Sequence, residues 1–214
     1  MRAGAVLRLG AAAAAATALL AAGCAPLLAP RGPAPTSFVW TDTGRSAPAA
    51  QPAPVALLLA PTQTASFSDT QRIVFSRTPG TRAYYQLAQW TDRPGPRFDV
   101  LLLERFSQRR AFAQVTPMTS GTRGDALLAV TILDIYHDDS RPPGTVRLEV
   151  SAELTDRGGR ALLARRTFVR EQQVAAESAE AAVAGFDAAV TSLLDELLPW
   201  VEAEAARATP SRRP

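Results

Sequence analysis

The stretch Thr145-Val-Arg-Leu-Glu-Val-Ser-Ala-Glu-Leu-Thr155 alternates without a break. Val146, Leu148, Val150, Ala152 and Leu154 fall on one side; Thr145, Arg147, Glu149, Ser151, Glu153 and Thr155 fall on the other. Successive side chains of a strand point to opposite faces, so the pattern predicts an antiparallel strand with one face buried and one solvated. Asp156-Arg157-Gly158-Gly159-Arg160 follows as a hairpin turn. Residues 161–170 return as the next strand, and the adjacent Leu162 and Leu163 require a bulge to share it. A sheet with one apolar face needs a cover. Downstream, Val183, Phe186, Val190, Leu193 and Leu197 step by three and four along a helix over 175–198, with Leu194 and Leu198 beside them. Pro199 ends or kinks that helix, and Trp200 and Val201 pack beyond it.

Upstream, Val55 to Ala60 is an unbroken apolar run stopped by Pro61, which suits a central strand. Residues 71–77 and 83–90 read as two further strands about the turn Thr78-Pro79-Gly80. The breakers Asp92-Arg93-Pro94-Gly95-Pro96 end strand structure. Phe98, Leu101, Leu102, Arg105, Phe106 and Arg109 then fall at helical spacing in a helix over 97–112. Residues 126–136 form another long apolar strand. The fold class is therefore α+β: an antiparallel sheet packed against two helices in one domain, residues 55–203, followed by a disordered tail at 204–214.

The chain opens differently. Arg2 and Arg8 precede an uncharged run from Leu9 to Gly23, and Cys24, the single cysteine, follows it. A basic start, an apolar stretch of about 15 residues and small residues before the cut make a signal peptide over 1–23. Leu20-Ala21-Ala22-Gly23-Cys24 resembles the lipobox of bacterial lipoproteins, with Ala21 where Leu is usual. That resemblance implies a diacylated Cys24 whose freed amino group is acylated too. A lone cysteine forms no internal disulfide, and two or more acyl chains anchor a protein stably, at roughly 0.8 kcal/mol per buried methylene. Residues 24–54 follow as a tether rich in Pro and Ala, broken by a short strand at 37–40 (Ser37-Phe38-Val39-Trp40). Removing the signal takes away two arginines and no acid, leaving 21 Arg against 20 Asp plus Glu, a formal +1. With no basic cluster, nucleic-acid binding is disfavoured.

Taken in order, several words resemble one family. They are Phe38-Val39-Trp40; Leu57 to Pro61; Asp69-Thr70-Gln71-Arg72-Ile73-Val74; Tyr84-Tyr85 to Trp90; Asp125 to Leu128; Asp156 to Arg160; and Leu193-Leu194, Leu197 and Trp200. Together with the lipobox they look like the ABC-type transport auxiliary lipoprotein component family, which includes the paraquat-inducible protein C lipoproteins. The resemblance implies a periplasmic lipoprotein that accompanies an MCE-type ABC system moving lipid between the inner and outer membranes. Its implied partners are an MCE-domain protein and its permease and ATPase, with a homo-oligomer as family analogy. The family supplies no catalytic residues and no cofactor. Departures are Ala21, the longer loop Thr119 to Gly124, and Pro199. The alternative reading is an envelope assembly or secretion lipoprotein that binds proteins.

Few residues suggest chemistry. His137-Asp138-Asp139 holds the single histidine, but a structural metal site wants about four ligands, so a solvated turn is the better reading. Without a Gly-x-Ser-x-Gly word, a hydrolase has little to build from, and an enzyme is not expected. Tyr84, Tyr85 and Trp90 are candidate contacts for a partner or a lipid, because Tyr and Trp are enriched at interfaces. Tyr84 and Tyr85 are neighbours on a strand and must face opposite sides. Ala25 follows Cys24 where an Asp would signal retention in the inner membrane, so the expected location is the outer membrane, facing the periplasm.

Overall fold

The computed structural model describes residues 32–156 and 158–208. The expected signal peptide, Cys24, the expected tether to residue 31 and the end of the expected tail from 209 lie outside the described residues. The chain divides into two compact units, Met1–Ala34 and Pro35–Pro214. Of the first, residues 32–34 are described, exposed and without regular structure.

The second unit is α+β. Its strands are β1 (Thr36–Phe38), β2 (Ala53–Leu59), β3 (Gln63–Thr64), β4 (Arg72–Ser76), β5 (Ala83–Trp90), β6 (Phe112–Pro117), β7 (Ala126–Asp138), β8 (Thr145–Asp156) and β9 (Leu162–Gln173). Helix α1 is Pro94–Arg109 and α2 is Ala179–Ala208. One nine-stranded sheet carries them all, with β7 as its spine. Along one edge of β7 lie three short strands in succession, each parallel to it: β2 at Ala126–Leu128, β3 at Thr131–Ile132 and β4 at His137–Asp138. Along the other edge β8 runs antiparallel over the whole length, and β9 runs antiparallel to β8. Outward from β2 lies β6, parallel to it; outward from β4 lies β5, antiparallel, and then β1, parallel to β5.

The sheet is thus mixed and not purely antiparallel. Parallel neighbours need a long crossover, and α1 supplies it between β2 and β6. The helix ends earlier than the sequence suggests. Arg110 adopts a left-handed conformation (φ 48°) and donates its N–H to the Phe106 carbonyl, freeing Phe112 to start β6. Pro94 opens α1 at a position where its missing N–H costs nothing.

The alternating strand does bury one face: Val146, Leu148, Val150, Ala152 and Leu154 are inaccessible. On β7 a bulge between Ile132 and Asp134 turns the inward set from Leu128, Val130 and Ile132 to Ile135 and His137, leaving Leu133 exposed. A second irregularity passes over Leu163, with Thr155 opposite Leu162 and Leu154 opposite Ala164. Helix α2 covers β8 and β9 with the whole stripe of Val183, Phe186, Val190, Leu193 and Leu197 buried. It runs through Pro199, which removes the N–H that would bond the Asp195 carbonyl, because Val201 and Ala205 continue the buried stripe. Residues 204–208, expected in the tail, are therefore the last residues of α2.

Leu193 is fully buried between helix and sheet, so Leu193→Ala should lower domain stability by roughly 2–5 kcal/mol. Urea denaturation measures this, and melting indistinguishable from the parent would mean that the stripe is not core.

Candidate functional site

The three aromatic candidates separate. Trp90 is 3% exposed and stacks among Trp40 (6.2 Å between ring centroids) and Phe186 (5.5 Å). It is core and leaves the set of surface contacts, because the strap of chain before β2 closes over it. Tyr84 and Tyr85 do face opposite ways. Tyr84 lies at the surface, stacked on Phe67 at 4.6 Å with the Arg72 guanidinium 4.0 Å from its ring, and its hydroxyl donates to the Phe67 carbonyl (2.9 Å). Phe67 is 42% exposed.

Tyr85 turns toward His137, which is 1% exposed. The two rings are bridged by a 2.8 Å hydrogen bond between the Tyr85 hydroxyl and His137 Nδ1, while Nε2 lies 2.8 Å from the Pro143 carbonyl. A carbonyl only accepts, so Nε2 carries a proton; in the neutral ring Nδ1 then accepts from the tyrosine hydroxyl. Burial, with the Asp139 charge adding to it, pushes the Tyr85 phenol up to about 12, which keeps it a donor. Asp138 is turned to Ser140: its hydrogen bonds with Ser140 hold the carboxyl below its usual value. Asp139 faces Arg77 at 3.5 Å. The His-Asp-Asp run is a strand end with each member tied elsewhere. Among the described residues no three His, Cys, Asp or Glu side chains are placed to share a cation.

The strongest cluster joins the segment read as tether to both helices. Arg105, on the inward side of α1, is 1% exposed. Its Nε and Nη2 donate to the two oxygens of Asp42 at 2.5 and 2.6 Å, a bidentate fork. Its Nη1 donates to Asp195 of α2 (2.7 Å) and to Ser46 (3.3 Å). Burial raises the Asp42 carboxyl, but hydrogen bonds from Arg105, the Gly44 N–H and Thr191 outweigh it and hold the group below its usual range. The hydrogen bonds to Asp42 in turn raise the arginine further, so both partners stay charged.

Around this pair the strap, residues 40–49, is stitched down on both sides. Arg97 of α1 donates to the Trp40 carbonyl (2.7 Å), and Arg109 donates to Ala47 (2.9 Å) and to Glu202 of α2 (2.8 and 3.0 Å). From α2, the Phe186 carbonyl accepts Trp40 Nε1 (3.1 Å), Asp187 accepts the Thr41 N–H (2.7 Å), and Thr191 accepts the Thr43 N–H (3.1 Å). Burial pushes Asp187 up to about 6, against the pull of the Thr41 N–H and Arg97. Gly44 is obligatory for a steric reason: a Cβ there would lie 1.9 Å from Arg105 Nη2 and 2.6 Å from Cζ. The strap backbone closes on the guanidinium at this residue. Arg105 among the apolar positions of α1 was the one signal in the sequence, since an arginine on a buried stripe demands a carboxylate. Nothing local pointed to Asp42.

Beyond the strap an open cavity of about 1120 Å³ is lined by small residues, among them Ala49, Pro52, Ala53, Pro199 and Ala203. Its acids are committed, Glu202 to Arg109 and Asp125 to the Ala56 N–H (3.0 Å). Among the described residues no helix is long and apolar enough to cross a membrane.

A family described as ABC-type transport auxiliary lipoprotein component matches residues 41–197. No curated protein matches the chain. Among solved structures, protein XCC0632 of Xanthomonas campestris is similar at 23% identity, with a TM-score of 0.71, covering 79% of this chain and 98% of that one. An uncharacterized protein is similar at 12% identity and a TM-score of 0.59, covering 78% of this chain and 99% of that one. These two share the fold.

Breaking the buried pair strands a charge, so Arg105→Ala should cost roughly 3–5 kcal/mol of stability. Gly44→Ala should lose most of the same amount through its clash with the guanidinium, without touching a charge. The double variant should lose less than the sum, because both break one contact. Denaturant titration of the three variants reads this out; additive losses would separate Gly44 from Arg105.

Proposed function

Because the chain belongs to the ABC-type transport auxiliary lipoprotein component family, we propose that it is the lipid-anchored, non-catalytic partner of an MCE-type ABC transporter that moves lipid between the inner and outer membranes. The observation that carries the reading is the family match itself, which runs from Thr41 in the strap to Leu197 in α2 and so takes in the clasp formed by Arg105, Asp42 and Asp195 and the whole sheet from β2 onward. The geometry supports a protein that holds and presents, and does not react. Both nitrogens of the single histidine are occupied, and the buried Arg105 is spent on fastening the strap.

In this reading Cys24 carries the acyl chains, with Ala25 after it directing the protein to the outer membrane, facing the periplasm. The partners are the MCE-domain protein with its permease and ATPase. Tyr84, with Phe67 and Arg72 beside it, is the aromatic surface offered to that partner or to lipid, while Tyr85 is held on the opposite face by His137.

The test is a Cys24→Ser variant beside the parent in cells. The parent should incorporate labelled fatty acid, band with the outer membrane on a density gradient and co-purify the MCE-domain protein; the variant should remain uncleaved and unlabelled. Label on the serine variant would overturn the anchor. An acylated parent that never brings down an MCE-domain protein would overturn the transport role while leaving the anchor intact.

A further inference from the structure

Strand β9 pairs with β8 on one side, and among the described residues nothing pairs with its other side. From Ala164 to Gln173 it keeps unbroken register with β8 and contains no Pro and no Gly. Alternate residues of such a strand point their N–H and C=O groups outward, a free ladder of backbone donors and acceptors. Proteins shield long edges with proline, bulges or charge, because a free edge is a template for another strand. Here the shield is charge alone, three arginines against one glutamate.

The stretch 165–170 carries Arg165, Arg166 and Arg170 and no acid. On the face toward α2, Arg166 and Arg170 both reach Glu196, so two cations share one carboxylate. On the opposite face Arg165 meets Glu153 at 2.8 Å, and Val169 stands 39% exposed. Glu171, the strand's one acid, is taken by Arg147.

That pattern decides what the edge accepts. A second copy pairing antiparallel about Phe168 would set Arg166 opposite Arg170, twice, and beyond them Arg165 opposite Glu171. Like charges directly opposite destabilise a strand pair, and Arg166 and Arg170 have one carboxylate between them, so an acidic guest gains on this face what a second copy in that register loses. We propose that β9 is a docking edge for an extended acidic segment of another protein, which adds as the next strand with Asp or Glu toward Arg166 and Arg170 and aliphatic side chains beside Val169. The edge is assigned from its own geometry, whichever transporter the chain serves.

The experiment titrates the full lipoprotein in detergent with three capped peptides: TEVEVET, its lysine counterpart TKVKVKT, and TEVEVET with alternate backbone nitrogens methylated. Fluorescence polarisation reads affinity, and hydrogen exchange reads the β9 amides. TEVEVET should bind and slow exchange at alternate amides within 164–173. The lysine peptide should bind about tenfold or more weaker through charge, and the methylated one should fail similarly through loss of the ladder. Equal binding of the methylated peptide, binding without added protection in β9, or no binding by TEVEVET would each overturn the proposal. So would protection of these amides that grows with protein concentration alone, which would give the edge to a second copy.

Discussion

A guanidinium enclosed by protein needs a carboxylate to balance its charge and acceptors for its remaining N–H groups, and the Arg105 head sets that requirement at the centre of this molecule. It is met from two directions, by Asp42 of the strap and by Asp195 of α2, while the arginine itself belongs to α1. One side chain therefore ties together three pieces of chain that are far apart in sequence. Lysine would not serve: the two oxygens of Asp42 take parallel N–H groups of a planar fork, and a further nitrogen is left to reach α2. The strap follows from this bond. Gly44 brings its backbone against the guanidinium, Trp40 fills the core beside Trp90 and Phe98, and Arg97 and Arg109 fix its two ends from the same helix.

The second constraint is the length of β7. A strand of 13 residues offers an edge long enough for three short parallel strands laid end to end, while its other edge takes β8 whole. This explains why the sheet forks, with β2 and β6 at one end and β4, β5 and β1 at the other. The bulge at Leu133 lets both halves of β7 keep apolar residues under the helices, and it carries His137 into the interior to meet Tyr85.

What could be read beforehand was what repeats locally. The alternation at 145–155 and the stripe at 183–197 identify their elements because burial imposes the period directly on neighbouring residues. The doubled Leu162-Leu163 announced its irregularity for the same reason. Parallel pairing has no such signature: β3 is two residues long, and β6 hides behind a helix whose last turn is closed by an arginine where a glycine would have marked the stop. The strap was legible least. Composition around its prolines and alanines describes a tether well, and its hold on the domain comes from partners more than 50 residues away, Arg97, Arg105 and Asp187 among them. Of the candidate site, the aromatic word at 84–90 was visible as a word, but which of its members reach the surface depended on the strap closing over Trp90.

The strap's attachment has a direct observable. The Thr41, Thr43 and Ala49 amides are donated to Asp187, Thr191 and the Arg109 carbonyl, so hydrogen exchange on the intact protein reads the clasp residue by residue. Slow exchange at these three amides, with protection approaching that of β8, is the expected result. Exchange there as fast as in an unstructured peptide would show that residues 40–49 are a free tether and that Arg105 does not organise the fold.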